Sequence, residues 1–369
     1  MLYYILPIVI SFFSAIQYDL NPSRNKGREF IWYTLLIYLI SIMGFRFMVG
    51  ADTLNYMIIF KDAPNLENYE FLNPYISYEP LFLLLWAISK SIYPDFYVFQ
   101  IIHAIILNVA IFSFIKKYTS YRFTALCITL FLYYFYFSTE VLREAIAVFI
   151  FAFSYKYIEE KKFFRYYLSV IMACLFHLSA IVLIFVPFFS KLRLNYIYLF
   201  VLLLLCLLLS QSYGLFDILS FFERVGDKAG GYKDTPIYFG WLIQNFARLT
   251  VYPILILAIQ KFIFRDKTSF ESLVCIYTLI GFSIFFFQIL YRLANYLLPF
   301  YSIFLANFFC SNLSMKVIAI RRSVVALLII LFVVVYGYYY IAGETYRIWV
   351  PYYSIFNPIE DSQRENFRP

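Results

Sequence analysis

Apolar runs about as long as a bilayer crossing recur from one end of this chain to the other, with short polar turns between them. A helix needs about 20 apolar residues to span hydrocarbon, within a range of roughly 17–25. By that measure the expected crossings are 2–17, 30–47, 95–115, 123–138, 143–158, 196–212, 238–260, 271–289, 296–312 and 323–342. Two apolar segments fit less well. Residues 80–93 are short, and 166–190 is interrupted at its middle by Phe176-His177-Leu178-Ser179. The pattern predicts an all-α polytopic integral membrane protein with about 10–12 transmembrane helices. Met1 to Gln17 has no basic leader and no small-residue cleavage site, so it reads as a first crossing and not as a signal peptide.

Composition sharpens the picture. Of the 369 residues, 63% are hydrophobic, 23% are aromatic and only 14% are charged. A soluble domain runs at about 45–50% apolar and about 25% charged. A soluble enzyme, a disordered chain and a nucleic-acid reader are thereby excluded. The formal charge of +8 reports orientation and not a DNA partner, because the basic residues sit between apolar runs. The five cysteines all lie inside apolar runs with no Cys-x-x-Cys spacing, and read as small packing residues.

Lys and Arg concentrate in the loops at 24–28, 116–122, 156–165, 191–193, 261–267 and 316–322. These loops hold 18 of the 30 basic residues, against 11 in about 117 positions of the remaining loops and the tail, with Arg248 inside a crossing. They are therefore expected in the cytoplasm, with the N-terminus outside. Only one crossing can then lie between the outer loop 46–79 and the inner loop 116–122, which makes 80–93 a re-entrant or interfacial helix. Both flanks of 166–190 are basic, which suggests a re-entrant hairpin of two short helices with His177 at its turn, against the alternative of one ordinary helix. Non-helical backbone at that depth is tolerated only where it lines a protein cavity. The expected organisation is a single transmembrane domain over 1–342, with outer loops 46–79 and 211–237 and an extracytoplasmic tail, 343–369.

Most of the polar candidates fall at the outer face: Arg46, Asp52, Glu79, Glu140, Arg143, His177 and Arg292. Arg248 lies deeper, near the centre of an apolar segment. A central arginine costs at least about 2.5–3.5 kcal/mol to insert, so it faces the interior or a cavity. Each group also has an ordinary explanation: an arginine at a helix end can snorkel, Glu140 and Arg143 can pair on a surface, and Asp52 can cap the turn after Gly50. His103 reads as a hydrogen-bonded core residue. Together the candidates describe an arginine-rich outward cavity, which suits a multiply charged oxyanion such as a diphosphate. Aromatic faces, Tyr56 and Tyr296 among them, are candidates for sugar rings, although most tyrosines of the outer segments suit an interfacial belt. There is no phosphate-binding P-loop, no Asp-x-Asp pair and no zinc spacing, so no metal and no cofactor are expected. The donor has to arrive already activated, and a lipid-linked diphosphate meets that need.

Four motifs occur in order: Arg46-x-x-x-Gly50-x-Asp52-Thr53-x-x-Tyr56, Glu79-Pro80-Leu81-Phe82, Leu142-Arg143-x-x-Ile146-Ala147, and Phe176-His177-x-Ser179-Ala180. In these the chain resembles the EpsG-like proteins, Wzy-type polymerases of exopolysaccharide, capsule and O-antigen. The marked part covers about 46 to 180, and the later half matches mainly in hydropathy and in Arg292. The resemblance implies a GT-C-like glycosyltransferase of the bacterial inner membrane that needs no nucleotide sugar. It would join undecaprenyl-diphosphate-linked oligosaccharides at the outer face, transferring the growing glycan to the non-reducing end of the next unit. A chain-length regulator in the same bilayer is an expected partner. On that reading Arg46, Arg143 and Arg292, with Arg248 as a fourth candidate, hold the diphosphate. His177 is the first choice of base, because histidine titrates near neutral pH; Asp52 is the second and Glu79 the third. An O-antigen ligase shares this logic and differs in its acceptor. A flippase or other transporter remains open too, although no internal repeat is present, as does an O-acyltransferase.

Overall fold

The structure, a computed structural model, describes residues 1–21, 25–71, 78–195, 197, 198, 200, 204, 239–284, 288–313, 317–342 and 345–359. Nearly all of the expected crossing 196–212, the loop 211–237 and the tail beyond 359 lie outside these residues.

The described chain is a succession of helices: α1 (Leu2–Ser14), α2 (Arg28–Gly44), α3 (Ala51–Asp62), α4 (Pro80–Ile92), α5 (Phe96–Tyr118), α6 (Arg122–Thr129), α7 (Phe135–Thr139), α8 (Leu142–Glu159), α9 (Phe163–Cys174), α10 (Val186–Phe189), α11 (Phe239–Phe246), α12 (Tyr252–Ala258), α13 (Glu271–Ser283), α14 (Leu298–Leu313) and α15 (Ala319–Ala342). Wide π turns join several of them: Leu130–Tyr134 links α6 to α7 and Ala247–Val251 links α11 to α12. Five stretches are long and apolar enough to cross a membrane: Leu2–Asp19, Phe96–Tyr118, Ile243–Ile263, Leu290–Leu313 and Ala319–Tyr338. The protein is an all-α polytopic membrane protein.

Burial sorts the helices. Leu290–Leu313 is 83% buried and forms the central post, whereas Ala319–Tyr338 is 22% buried and lies at the rim. A second, smaller core gathers Tyr56, Phe60, Phe82, Trp86 and Phe99 where α3 and α4 meet the start of α5. These rings pack with centroids 5.1–6.4 Å apart, edge-to-face in pairs such as Phe60 with Trp86 and Phe82 with Phe99.

The 166–190 segment is broken at the expected place. α9 stops at Cys174, and a 3₁₀ turn, Leu178–Phe185, leads into α10. The Tyr166 hydroxyl donates to Leu183 O at 2.6 Å, so the two arms lie side by side and the chain reverses between them. One free backbone group at the break is satisfied from α4: Leu81 N donates to Leu175 O at 3.0 Å. The basic flank of the second arm meets α13, where Leu194 N donates to Glu271 Oε1 (2.9 Å) and Lys261 Nζ pairs with the same oxygen (2.6 Å). Phe270, next to Glu271, touches Tyr118 and Tyr155 near the ends of α5 and α8. The basic ends of these helices therefore gather at one end of the bundle. His177 lies at the other.

Past α15 the chain folds back over the N-terminal half. Phe47 N donates to Tyr353 O (2.8 Å), Ile355 N to Phe45 O (2.9 Å) and Tyr4 OH to Trp349 O (2.8 Å). Residues 345–357 are thus a docked strap across the end of α2.

Candidate active site

Four separate parts of the sequence converge at the end of the bundle opposite the basic loops. Glu79 is the extended residue before Pro80, which opens α4 where no N–H partner is needed. Arg143 and Glu144 lie in the first turn of α8. His177 is the extended residue at the break after α9. Arg292 and Asn295 sit on the 3₁₀ segment Gln288–Leu297.

Glu79 organises the centre. Its Oε2 accepts from Arg143 Nη1 at 2.5 Å. Its Oε1 accepts from Leu178 N at 3.1 Å and lies 3.3 Å from His177 Nδ1, an ion-pair distance at an angle poor for a hydrogen bond. One carboxylate thus ties α4, α8 and the helix break together. The Arg143 guanidinium lies 4.0 Å from the centroid of the Tyr78 ring, and it donates a hydrogen bond to the Tyr56 hydroxyl oxygen. The side chains of Glu79, Arg143 and His177 are 13%, 14% and 14% exposed, so the group is sheltered yet reachable.

Burial alone would raise the Glu79 carboxyl, but the His177 ring and the Arg143 charge outweigh it and hold it at about 2. A carboxyl depressed in the folded state contributes stability that is complete above its ordinary value, 4.5, and is lost as pH falls toward 2. The detergent-solubilised protein should therefore lose a part of its thermal stability between pH 4.5 and 2 that the Glu79→Gln variant lacks. Parallel melting curves for the two proteins over that range would contradict this placement of Glu79.

Glu144 is 2% exposed, and its Oε1 accepts from Asn295 Nδ2 at 2.9 Å. His177, Arg292 and Arg143 all lie within electrostatic reach of it. Ser179 and Tyr296 pair through their hydroxyls at 2.9 Å, joining the break to the same 3₁₀ segment.

Asp52 approaches from α3. The Glu140 carboxylate accepts from the Ala51 and Asp52 backbone N–H groups at 3.2 and 2.8 Å, a carboxylate cap on the positive end of that helix. Arg292 and Arg143 are the cationic neighbours of Asp52, although burial dominates and pushes its carboxyl above the ordinary value. Gly50 makes the entry possible. Its φ is +103°, and an added Cβ would stand 2.8 Å from Thr139 Cβ and 2.9 Å from Glu140 Oε1. Gly50→Ala should therefore cost about 1–3 kcal/mol in backbone strain, with the clash in addition. Low yield of a folded variant in membranes is the expected readout, and wild-type yield and activity would contradict it.

Not every sequence candidate joins the cluster. Arg46 is 1% exposed, and its guanidinium nitrogens engage Met43 O (2.5 Å), Val49 O (3.3 Å) and Thr53 Oγ1 (3.5 Å). It clamps the end of α2 to the start of α3. Arg248 lies on the π turn Ala247–Val251 with its guanidinium 5.5 Å from the Tyr336 ring of α15. Tyr56 and Tyr296 are 6% and 1% exposed and form walls, so neither presents an open ring face. His103 is a buried core residue 3.0 Å from Leu142 O, as expected. The site residues that sequence reasoning missed are Glu144 and Asn295. A signal for each was present: an acid inside an apolar run beside Arg143, and an amide one 3₁₀ turn after Arg292.

The cluster sets two arginines, a carboxylate-held histidine and further carboxylates in one sheltered cleft of a membrane bundle. Neither curated proteins nor solved structures include a match to this chain. A family profile does match, over residues 29–354, and it spans all four elements of the cleft. The chain belongs to the EpsG family, the family of Wzy-like exopolysaccharide polymerases.

Proposed function

We propose that this protein polymerises lipid-linked oligosaccharides at the outer face of the bacterial cytoplasmic membrane. The donor is the growing glycan on undecaprenyl diphosphate, and the acceptor is the non-reducing end of the next lipid-linked repeat unit. The observation that carries the reading is the Glu79 bridge, which holds a guanidinium and an imidazole side by side in a sheltered cleft. The distribution of Lys and Arg supports the outward orientation, because the cleft lies at the end opposite the basic loops.

In this mechanism Arg143 and Arg292 receive the diphosphate. The bond between the anomeric carbon and the phosphate oxygen breaks, its electron pair passes to the diphosphate, and the guanidiniums stabilise the charge where it grows. The acceptor hydroxyl oxygen forms the new bond to the anomeric carbon from the opposite side, inverting it. Its proton passes to His177 Nε2, the ring nitrogen turned away from Glu79. Glu79 orients the ring and stabilises the imidazolium, and it is already paired with Arg143, so it is a poor base itself. Asp52 binds acceptor hydroxyls at the opposite wall. Arg46 supports this site from behind the α2–α3 junction.

The test is a strain lacking this protein, scored for its surface-polysaccharide ladder and its lipid-linked pool. Polymerase function predicts that single repeat units still reach the surface and the ladder vanishes. Loss of single units with lipid-linked units at the inner leaflet would point to a flippase. Lipid-linked polymer that never joins its final acceptor would point to a ligase. Labelling of a cysteine at position 179 from outside, with none near 191, is expected for the re-entrant hairpin; the reverse pattern would refute it.

A further inference from the structure

The mechanism above gives no task to Glu144, a buried ionisable side chain beside the cluster. Glu144 sits one residue beyond Arg143, is 2% exposed, and carries no substrate contact in that scheme. An acid so enclosed is costly unless neighbouring groups compensate it. Its side chain accepts a hydrogen bond from the neutral Asn295 amide, and the Arg292 and Arg143 guanidiniums, with the His177 ring, are the groups around it that offset its burial.

The segment that holds Asn295 makes this arrangement informative. Gln288–Leu297 is a 3₁₀ helix, with three residues per turn, so side chains at i and i+3 eclipse one another. Arg292 and Asn295 therefore share one face, and Glu144 grips that face through Asn295. The neighbouring faces are held as well: Tyr296 by Ser179 (2.9 Å), and Tyr291 by Tyr136. The direction in which Arg292 projects is thus set by what holds this short helix, with Glu144 on the face that Arg292 shares.

We propose that Glu144 is a positioning residue that, through Asn295 and through its own charge, fixes the Arg292 guanidinium for the substrate diphosphate. This rests on the polymerase reading for the identity of the ligand. A purely structural Glu144 would need only an acceptor for Asn295, which a glutamine also supplies. A positioning Glu144 needs the charge, and its effect must vanish once Arg292 is gone.

The experiment is a double-variant cycle on the full chain purified in detergent. It measures the affinity for undecaprenyl diphosphate and the rate of polymer formation from lipid-linked repeat units. Glu144→Gln and Arg292→Gln are each expected to weaken binding about tenfold and to slow polymerisation about 10²-fold, with unchanged melting temperatures. The double variant should be no worse than Arg292→Gln alone. Wild-type behaviour of Glu144→Gln, or losses that multiply in the double variant, would overturn the proposal. If Glu144→Gln does not fold, Asn295→Ala takes its place in the cycle with the same expected non-additivity. A wild-type protein that binds undecaprenyl diphosphate yet forms no polymer would sink the polymerase reading, while the binding cycle still decides the role of Glu144.

Discussion

Arg143→Ala is expected to abolish polymer while the protein accumulates in the membrane at its normal level. Two effects combine. The guanidinium shares the Glu79 carboxylate with the histidine, so on the proposed mechanism its loss removes a charge from the position where the leaving diphosphate develops its own. Its loss also leaves the Glu79 carboxylate in the cleft without its shortest partner, facing an anionic substrate. Losing one such donor in other enzymes costs about 10²–10³ in rate, and the exposed carboxylate adds repulsion to that. Arg143→Lys should rescue little. Arg143 donates from Nη1 to Glu79 while its guanidinium lies 4.0 Å from the Tyr78 ring, and a compact ammonium on a shorter reach does not combine the two contacts. Glu79→Gln in the Arg143→Ala background should restore part of the donor binding but not the rate. The measurement is the length distribution of polymer in a strain complemented with each variant, beside an immunoblot of the membrane fraction. A normal ladder from Arg143→Ala would remove this residue from the site.

Much of this architecture was legible because a bilayer writes plainly. Runs of apolar residues mark the helices: 95–115 became Phe96–Tyr118, and 323–342 became Ala319–Ala342. The Phe176-His177-Leu178-Ser179 interruption of 166–190 was legible too: α9 stops at Cys174, and Tyr166 OH donates to Leu183 O across the break. The boundaries were harder. Residues 271–289 looked like a full crossing, but the α-helix stops at Ser283 and a 3₁₀ segment begins at Gln288, since hydropathy does not distinguish a 3.6-residue turn from a 3.0-residue one. Side-chain direction was harder still. The sequence places Arg46 at a helix end near Asp52, which equally fits a ligand-binding arginine and a backbone clamp. The structure shows the clamp, because the chain turns back at Val49 and offers its carbonyl to the guanidinium. Glu144 escaped notice because Glu140 was the acid that the spacing offered to Arg143, whereas the hydrogen-bond partner of Glu144 lies 151 positions further on.

His177→Ala carries the second large effect, and it differs in kind from the first. The diphosphate pocket keeps both arginines, so donor affinity should change little. The step that suffers is deprotonation of the acceptor hydroxyl, worth about 10²–10⁴ in rate for a well-placed base. The expected signature is a collapse of kcat with a nearly constant KM for the lipid-linked donor, whereas Arg143→Ala raises KM as well. Glu79→Gln separates orientation from proton transfer. The amide still reaches Leu178 N and the imidazole, but it lacks the charge that stabilises an imidazolium, so its loss should fall between wild type and His177→Ala. Combining Glu79→Gln with His177→Ala should add nothing to the rate loss, because the carboxylate acts on proton transfer through the ring. Additive losses would instead make Glu79 an independent participant and reopen the choice of base in favour of Asp52, which has Arg292 and Arg143 as neighbours and a carboxyl raised by burial. A His177→Ala protein that extends chains at the normal rate would settle that choice against the histidine, because no second imidazole lies in the cleft: the only other histidine, His103, is buried in the core beside Leu142.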